Sequence, residues 1–170
     1  MKFLGNGKDH LDAVDLRLLR LLEQDARKST AELARSVGLS PPSVAERVKR
    51  LQENGVIRGF SICIDPASLG LPLSAWLRVR PVPGQLGIVA DILRGLPEIA
   101  QCDRVTGEDC FIALAHVGSV ADLERVIDRI IPYAMTNTAI IQSSPVPARS
   151  PLAAATREAR PPSAASSGRT

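Results

Sequence analysis

Apolar residues recur at helical spacing in three consecutive segments near the N-terminus. The first segment predicts a helix over about 13–25, with Asp12 as its N-cap. The second predicts a short helix over 30–37, opened by a capping box in which Ser29 and Glu32 satisfy each other's backbone amides. Both helices are amphipathic, so each must pack its apolar side against a neighbour.

The third segment predicts a helix over about 41–53. Ser40 is a favourable N-cap, Pro41 fits the first helical turn, and Gly38 stands where the preceding helix must end in a left-handed turn. One face of this helix is apolar and the opposite face is polar and basic; the apolar residues are Val44, Val48 and Leu51. Residues 27–58 are therefore predicted to form a helix-turn-helix with a basic recognition helix.

The rest of the chain has a different periodicity. Residues 56–64 alternate and are β-branched, which predicts a strand leaving the helical region. A turn-rich linker at 66–72 follows, and then a β-α-β-β-α-β order typical of ferredoxin-like domains. Its predicted elements are strand 75–80, helix 86–96, strand 99–106, strand 110–117, helix 119–131 and strand 137–143.

We therefore predict an α+β protein with an N-terminal winged helix-turn-helix domain and a C-terminal ferredoxin-like βαββαβ domain. The predicted boundaries are a flexible arm at 1–10, the DNA-binding domain at 11–65, the linker at 66–72, the second domain at 73–144 and a disordered tail at 145–170. A sheet covered by helices on one face only leaves a partly apolar face, which a second subunit usually covers. We expect a homodimer or a larger homo-oligomer, up to a tetramer or octamer.

Charge is distributed unevenly in the 170-residue chain. The net charge is only +3, but residues 26–58 hold seven basic side chains against three acidic ones. The positive charge thus surrounds the predicted helix-turn-helix, which favours double-stranded DNA as the partner. An interaction module whose basic residues merely form a solvated face is the alternative that this pattern leaves open.

Residues at the start of the recognition helix are expected to enter the major groove. Five predicted base-facing residues are Ser40, Pro42, Ser43, Glu46 and Arg47. Three further residues are predicted to contact phosphates, namely Lys49, Arg50 and Arg58. Because Arg47 and Arg50 are expected on the exposed face, their replacement by alanine should weaken DNA binding without unfolding the chain.

No pattern in the sequence predicts a metal, a cofactor or a catalytic site. Cys63, Cys102 and Cys110 lie far apart with no C-x-x-C spacing, which favours buried thiols in a reducing cytoplasm. His116 falls within an apolar strand and is expected to be a core or interface residue. The N-terminus lacks the apolar region of a signal peptide, and no apolar run is long enough to span a membrane.

Several motifs together resemble the Lrp/AsnC, or feast/famine, transcriptional regulators. They are the Leu11-Asp12 start, the Gly38-Leu39-Ser40-Pro41 turn, the Gly55-Val56-Ile57 run, the Asp65-Pro66 linker and the Arg104-Val105-Thr106-Gly107 stretch. The resemblance covers about 11–144, in order and across both predicted domains. It implies dimerisation through the second domain, further assembly, binding to palindromic DNA and, in many members, sensing of amino acids.

The resemblance also implies a position for the effector site, at the turn after the Val-Thr-Gly stretch. In this chain the turn is formed by Gly107, Glu108, Asp109, Cys110 and Phe111. The chain departs from the family there, since members commonly have an aspartate followed by an aromatic residue where Cys110-Phe111 stands. The alternative interpretation of Glu108-Asp109 is a solvated hairpin turn.

Two other function classes remain open at this point. Some decarboxylases of tetrapyrrole synthesis share this two-domain architecture, but the chain shows no Ser/His/Asp set, no Cys/His pair and no phosphate loop. An architectural protein that binds DNA broadly and senses nothing would use the same basic helix. It would differ in its specificity ratio and in its lack of effector response.

Overall fold

The computed structural model describes residues 11–155, which form two compact units. Among the described residues, the helical unit contains 11–62 and 148–155, whereas the sheet unit contains Cys63–Pro147. The predicted arm at 1–10 and the end of the predicted tail lie outside the described residues. No helix in the described part of the chain is both long and apolar enough to cross a membrane.

Three helices of the helical unit form where the apolar periodicity predicts them. They are α1 (Ala13–Gln24), α2 (Thr30–Val37) and α3 (Pro41–Glu53). The Asp12 and Ser29 side chains each complete a capping box, and the Ser40 side chain accepts a hydrogen bond from the Ser43 amide. These caps satisfy amides that a helix start leaves unpaired, which is why the starts are readable in the sequence.

The turn between α2 and α3 depends on two small residues. Ala34 is buried, and Gly38 adopts the left-handed conformation at φ 73° while its amide donates to the Ala34 carbonyl. Glycine adopts the left-handed conformation with little steric strain because it has no Cβ, so Gly38 can end α2 sharply. The three helices then enclose a small core formed by Leu18, Leu33, Ala34 and Val44.

The strand predicted over 56–64 does not form. Residues 56–64 have no strand assignment, and none of the four strands in the described chain pairs with them. A strand requires a hydrogen-bonding neighbour, and an alternating pattern alone does not supply one. The segment consequently leaves large apolar side chains in solvent, with Phe60 51% and Ile62 80% exposed.

The sheet unit confirms the predicted β-α-β-β-α-β order. A short 3-10 helix, Pro66–Leu69, lies in the linker and precedes the sheet. The elements are β1 (Leu73–Pro81), α4 (Leu86–Gly95), β2 (Ile99–Arg104), β3 (Phe111–Val117), α5 (Val120–Ile130) and β4 (Ala134–Ile140). The strand order is β2-β3-β1-β4, with antiparallel neighbours throughout.

The last strand differs from its prediction. It begins at Ala134 rather than at residue 137, and it ends at Ile140. Pairing decides its start, because Pro81 lies opposite Ala134 and Arg80 opposite Met135 at the end of β1. The buried Ala134 side chain joins the core at a position that the local sequence pattern does not mark.

One face of the sheet carries the core of this unit. Inward residues of β1 and β3 alternate strictly with outward ones, and α4 and α5 cover the inward face with apolar side chains. The largest fully buried side chains here are Leu77, Leu93, Ile130, Val79, Val89, Val117 and Val126. The opposite face has no helix of its own unit on it.

The predicted disorder over 145–170 does not hold for the first part of that tail. Residues Leu152–Ala155 form a short helix, α6, within the helical unit. The composition of the tail is poor in large apolar residues, which favoured disorder. A single leucine and an alanine nevertheless meet apolar partners there, because Leu152 and Ala155 line a cavity together with Leu19, Leu22 and Phe60.

Candidate nucleic-acid interface

The N-terminal half of α3 presents a continuous polar face to solvent. Ser40, Pro42, Ser43 and Glu46 are all exposed, whereas Val44 is fully buried on the opposite side. The Ser40 and Ser43 hydroxyls lie 2.8 Å apart and hydrogen-bond each other. Four of the five residues that the sequence predicts to face DNA bases therefore lie together on an accessible helix face.

Arg47 lies apart from that exposed face and is only partly accessible. Its Nη1 lies 2.6 Å from Asp12 Oδ2 and 2.8 Å from Asp15 Oδ1, and its side chain is only 26% exposed. The Asp15 side chain is 3% exposed, so its charge depends on these partners. The prediction that Arg47 lies on the exposed face is thus corrected: its guanidinium joins α3 to the start of α1.

Arg50 takes part in the same cluster. Its Nη2 lies 3.1 Å from Asp15 Oδ2, while its side chain remains half exposed. The Arg50 Nη2 also lies 3.4 Å from Asp15 Oδ1, the oxygen that accepts from Arg47, so both arginines bind the one Asp15 carboxylate. We call Asp12, Asp15, Arg47 and Arg50 the α1–α3 ion cluster.

The charges of this cluster are fixed by their neighbours. The Asp15 backbone amide and the Arg47 guanidinium lower the pKa of the Asp12 carboxyl below its ordinary value of 3.8. Hydrogen bonds from Arg47 to Asp12 and then to Asp15 raise the pKa of Arg47. Asp12 and Arg47 therefore both stay charged at neutral pH, and the cationic charge of Arg47 is offset locally by its carboxylate partners.

The burial of Asp15 was not predicted from the sequence, although a signal for it exists. The apolar stripe of the first helix runs through Leu11, Val14, Leu18 and Leu22, and Asp15 falls inside that stripe. An isolated charge on an apolar helix face indicates a buried ion pair, since an unpaired carboxylate would be costly there. The arginines on the third helix were the available partners.

The remaining predicted phosphate contacts are accessible. Lys49 is exposed and lies 3.7 Å from Glu53 one turn away, a pair too solvated to restrain it strongly. Arg58 is exposed, and no carboxylate in residues 11–155 lies within ion-pair distance of it. Of the predicted phosphate contacts, Lys49 and Arg58 are therefore accessible, and Arg50 is accessible in part.

The predicted effector turn is held against β1. Arg78 binds Asp109 through Nε at 2.7 Å and Nη2 at 2.6 Å, and Arg80 pairs with Glu108. The Cys110 amide also donates to the Val79 carbonyl, and Gly107 has a positive φ of 107°. Asp109, whose side chain is 17% exposed, is thus held by Arg78, whereas the Glu108 side chain is 84% exposed and its pair with Arg80 is solvated.

The five predicted effector residues do not share one surface. Phe111 is buried in the core of the sheet unit and Cys110 is half buried against it, whereas Glu108 is exposed. The structure adds Arg78 and Arg80, which sequence reasoning did not assign to this site. Their signal was the alternation of β1, which places both arginines on one face with Trp76.

Comparison with known families matches both units. Residues 11–52 match the AsnC-type helix-turn-helix domain, and residues 74–151 match the Lrp/AsnC ligand binding domain. The helix-turn-helix transcriptional regulator LrpC of Bacillus subtilis is 35% identical over 133 residues, which is 78% of this chain and 92% of LrpC. The regulator LrpA of Mycobacterium tuberculosis is 36% identical over 129 residues, 75% of this chain and 86% of LrpA.

Solved structures agree with these sequence matches. The B. subtilis LrpC structure superposes with a TM-score of 0.75 at 34% identity, covering 79% of this chain and 96% of LrpC. A feast or famine regulatory protein from M. tuberculosis, complexed with L-methionine, superposes with a TM-score of 0.76 at 34% identity. That match covers 82% of this chain and 97% of the neighbour.

Proposed function

Because this chain belongs to the Lrp/AsnC family of transcriptional regulators, we propose that it binds specific DNA sites through α3 and responds to a small effector. The observation that carries the DNA-binding role is the exposed polar face of α3, opposite a buried apolar one. Ser43 and Glu46 stand at the part of a recognition helix that meets base edges. Neither side chain is tied to another helix of the unit.

The cations near α3 divide into two roles. Lys49 and Arg58 are exposed and suit phosphate contacts, which give salt-dependent affinity without sequence information. Arg47 acts indirectly by fixing α3 against α1. Arg50 can both contact a phosphate and help to fix α3 against α1, since half of its side chain is exposed while its guanidinium contacts Asp15.

Glu46→Ala and Arg58→Ala are expected to affect DNA binding in different ways. Loss of a base contact at Glu46 should relax the preferred sequence at one position and cost about 10-fold in discrimination. Loss of a phosphate contact at Arg58 should weaken all sites alike and reduce the salt slope by about one. Selection from random DNA, followed by titrations at several salt concentrations, measures both effects.

Arg129→Ala is the charge-matched control, because Arg129 is an exposed residue of α5 in the sheet unit. It should leave both the preferred sequence and the salt slope unchanged. If Glu46→Ala selected the same sequences with the same affinities as the unchanged protein, α3 would not read bases through that residue.

An amino acid is the proposed effector class. The support is the ligand-binding domain match of residues 74–151 and the L-methionine complex of the M. tuberculosis neighbour. The proposed site is the turn at 107–111 with Arg78 and Arg80. An amino acid carries one carboxylate and one ammonium. The arginines of this site can bind the ligand's carboxylate while the carboxylates of the turn bind its ammonium, so no charge is left unpaired.

Asp109→Asn is expected to abolish the response to the amino acid while DNA affinity without effector is unchanged. Thermal unfolding of the unchanged protein with each amino acid identifies the effector, since a ligand at 100 times its Kd stabilises by about 2.7 kcal/mol. Glu124→Gln, an exposed change on α5, is the matched control. An equal thermal shift in Asp109→Asn and in the unchanged protein would place the site elsewhere.

Self-association through the outer face of the sheet is the third part of the proposal. The face carries Trp76 at its centre, with Leu114 of β3 and Ala139 of β4 directly opposite it in register. Trp76 is 37% and Met135 68% exposed. Trp76, Leu114 and Ala139 form an apolar strip across three strands, and an exposed apolar strip on a sheet face is the kind of surface that a second copy covers.

A further inference from the structure

The helical unit includes a segment that comes from the far end of the chain. Residues 148–155 cluster with residues 11–62 rather than with the sheet unit that they follow. The helix at Leu152–Ala155 lies after residue 151, where the match to the ligand-binding family ends. We call residues 148–155 the C-terminal strap.

The strap meets an apolar groove of the helical unit. One wall is α1, through Leu19 and Leu22, and the other is the segment after α3, through Val56 and Phe60. Leu152 and Ala155 line the same groove, where a cavity of about 390 Å³ remains. The lining is almost entirely apolar, so the groove offers a leucine the same kind of environment as a small core.

Polar contacts fix the position of the strap. The Ser150 hydroxyl donates to the Glu23 carboxylate near the end of α1 and also accepts from the Leu152 amide at 3.3 Å. The Ala154 and Ala155 amides both donate to the Pro151 carbonyl at 3.0 Å. Ser150 therefore starts the helical turn and joins it to α1 at the same time.

The groove lies on the helix that supports the recognition helix. The same α1 that contacts the strap through Leu19, Leu22 and Glu23 provides Asp12 and Asp15 to the α1–α3 ion cluster. We propose that the C-terminal strap is a required part of the helical unit, docking on α1 and thereby holding α3 in its DNA-binding position. The interaction surface is the groove between α1 and residues 56–61, and its occupant is residues 148–155 of the same chain.

This docking gives the sheet unit two covalent connections to the helical unit. One precedes β1 and the other follows β4, and these two strands are antiparallel neighbours, with Ala75 opposite Ile140. Both connections thus leave from one end of the sheet.

Leu152→Asp in the full chain tests the strap, with Ala154→Asp as the charge-matched control because Ala154 does not line the groove. Removing a half-buried leucine from the groove should speed amide hydrogen exchange in α1 about 10-fold relative to the control. The DNA dissociation constant should rise several-fold in Leu152→Asp only. Equal exchange in the two variants would overturn the proposal.

Two truncations provide a second, independent measurement. A chain ending at residue 155 keeps the strap, whereas one ending at 147 lacks it. The midpoint of thermal unfolding should fall by about 4–8 °C only in the shorter chain. If both truncations melted alike, the strap would contribute nothing. Only the DNA titration rests on the proposed function, and a protein that binds no DNA at all would refute that function. The hydrogen-exchange and thermal-unfolding measurements would still show whether the C-terminal strap stabilises the helical unit.

Discussion

Arg47→Ala is expected to lower the free energy of unfolding of the helical unit by about 3 kcal/mol. The reason is the burial of Asp15, whose side chain is 3% exposed and receives Arg47 at 2.8 Å. Removing that guanidinium leaves the carboxylate with Arg50 as its one cationic partner, which is half exposed and 3.1 Å away. An incompletely paired buried charge is much more costly than a lost surface ion pair. Chemical denaturation followed by circular dichroism measures the change.

Lys49→Ala is the matched control for that variant. It removes a cation from the same helix, but the Lys49–Glu53 pair is solvent-exposed, and its loss should cost less than about 0.5 kcal/mol. Combining Arg47→Met with Asp15→Leu should recover most of the lost stability, because no buried charge then remains. A stability loss in Arg47→Ala no larger than in Lys49→Ala would contradict the role given to Asp15.

If an Arg47 variant binds DNA more weakly, loss of stability of the helical unit explains the effect without a direct contact between Arg47 and DNA. The sequence alone predicts direct contact with DNA and an intact fold for both Arg47→Ala and Arg50→Ala. The ion cluster separates the two residues, since Arg47 is mostly buried between two carboxylates and Arg50 is half exposed. DNA titrations of Arg47 variants are therefore informative only beside a measurement of stability.

Local signals explain why so much of the helical unit could be predicted. A capping serine, a left-handed glycine and a proline in the first turn act within a few residues of where they stand, as Ser29, Gly38 and Pro41 do here. The order of elements in the sheet unit was predictable for the same reason, because its strands and helices have distinct periods.

Partners distant in sequence explain what could not be predicted. Residues 56–64 have strand-like alternation, but strand formation depends on a neighbour that the local pattern cannot provide. Leu152 lies in a segment whose composition favours disorder, and its docking depends on a groove formed by α1 and residues 56–61, which are distant in sequence. The pairing of Asp109 with Arg78 likewise follows from the register of β1 with β3.

The role of the outer face of the sheet also depends on a partner that the local sequence does not reveal, in this case a second copy of the chain. Trp76 lies on β1, one of the two inner strands, and its side chain points away from the core formed by Ala75 and Leu77. If two copies bury this face against each other, they form a two-fold interface in which the same patch serves both chains. Two recognition helices in one dimer would then bind a palindromic site together.

Trp76→Asp is therefore expected to convert the protein to single chains of 18.2 kDa by light scattering. A carboxylate at the centre of an apolar interface would be desolvated without a partner, and two of them would face each other across the two-fold axis. Because the second half-site is then no longer bound in the same complex, affinity for a palindromic site should fall by about 100-fold, while affinity for one half-site is unchanged. Val120→Asp, which adds the same charge at an exposed position on α5, should alter neither mass nor affinity. A Trp76→Asp protein that kept the mass and DNA affinity of the unchanged protein would show that assembly uses a different surface.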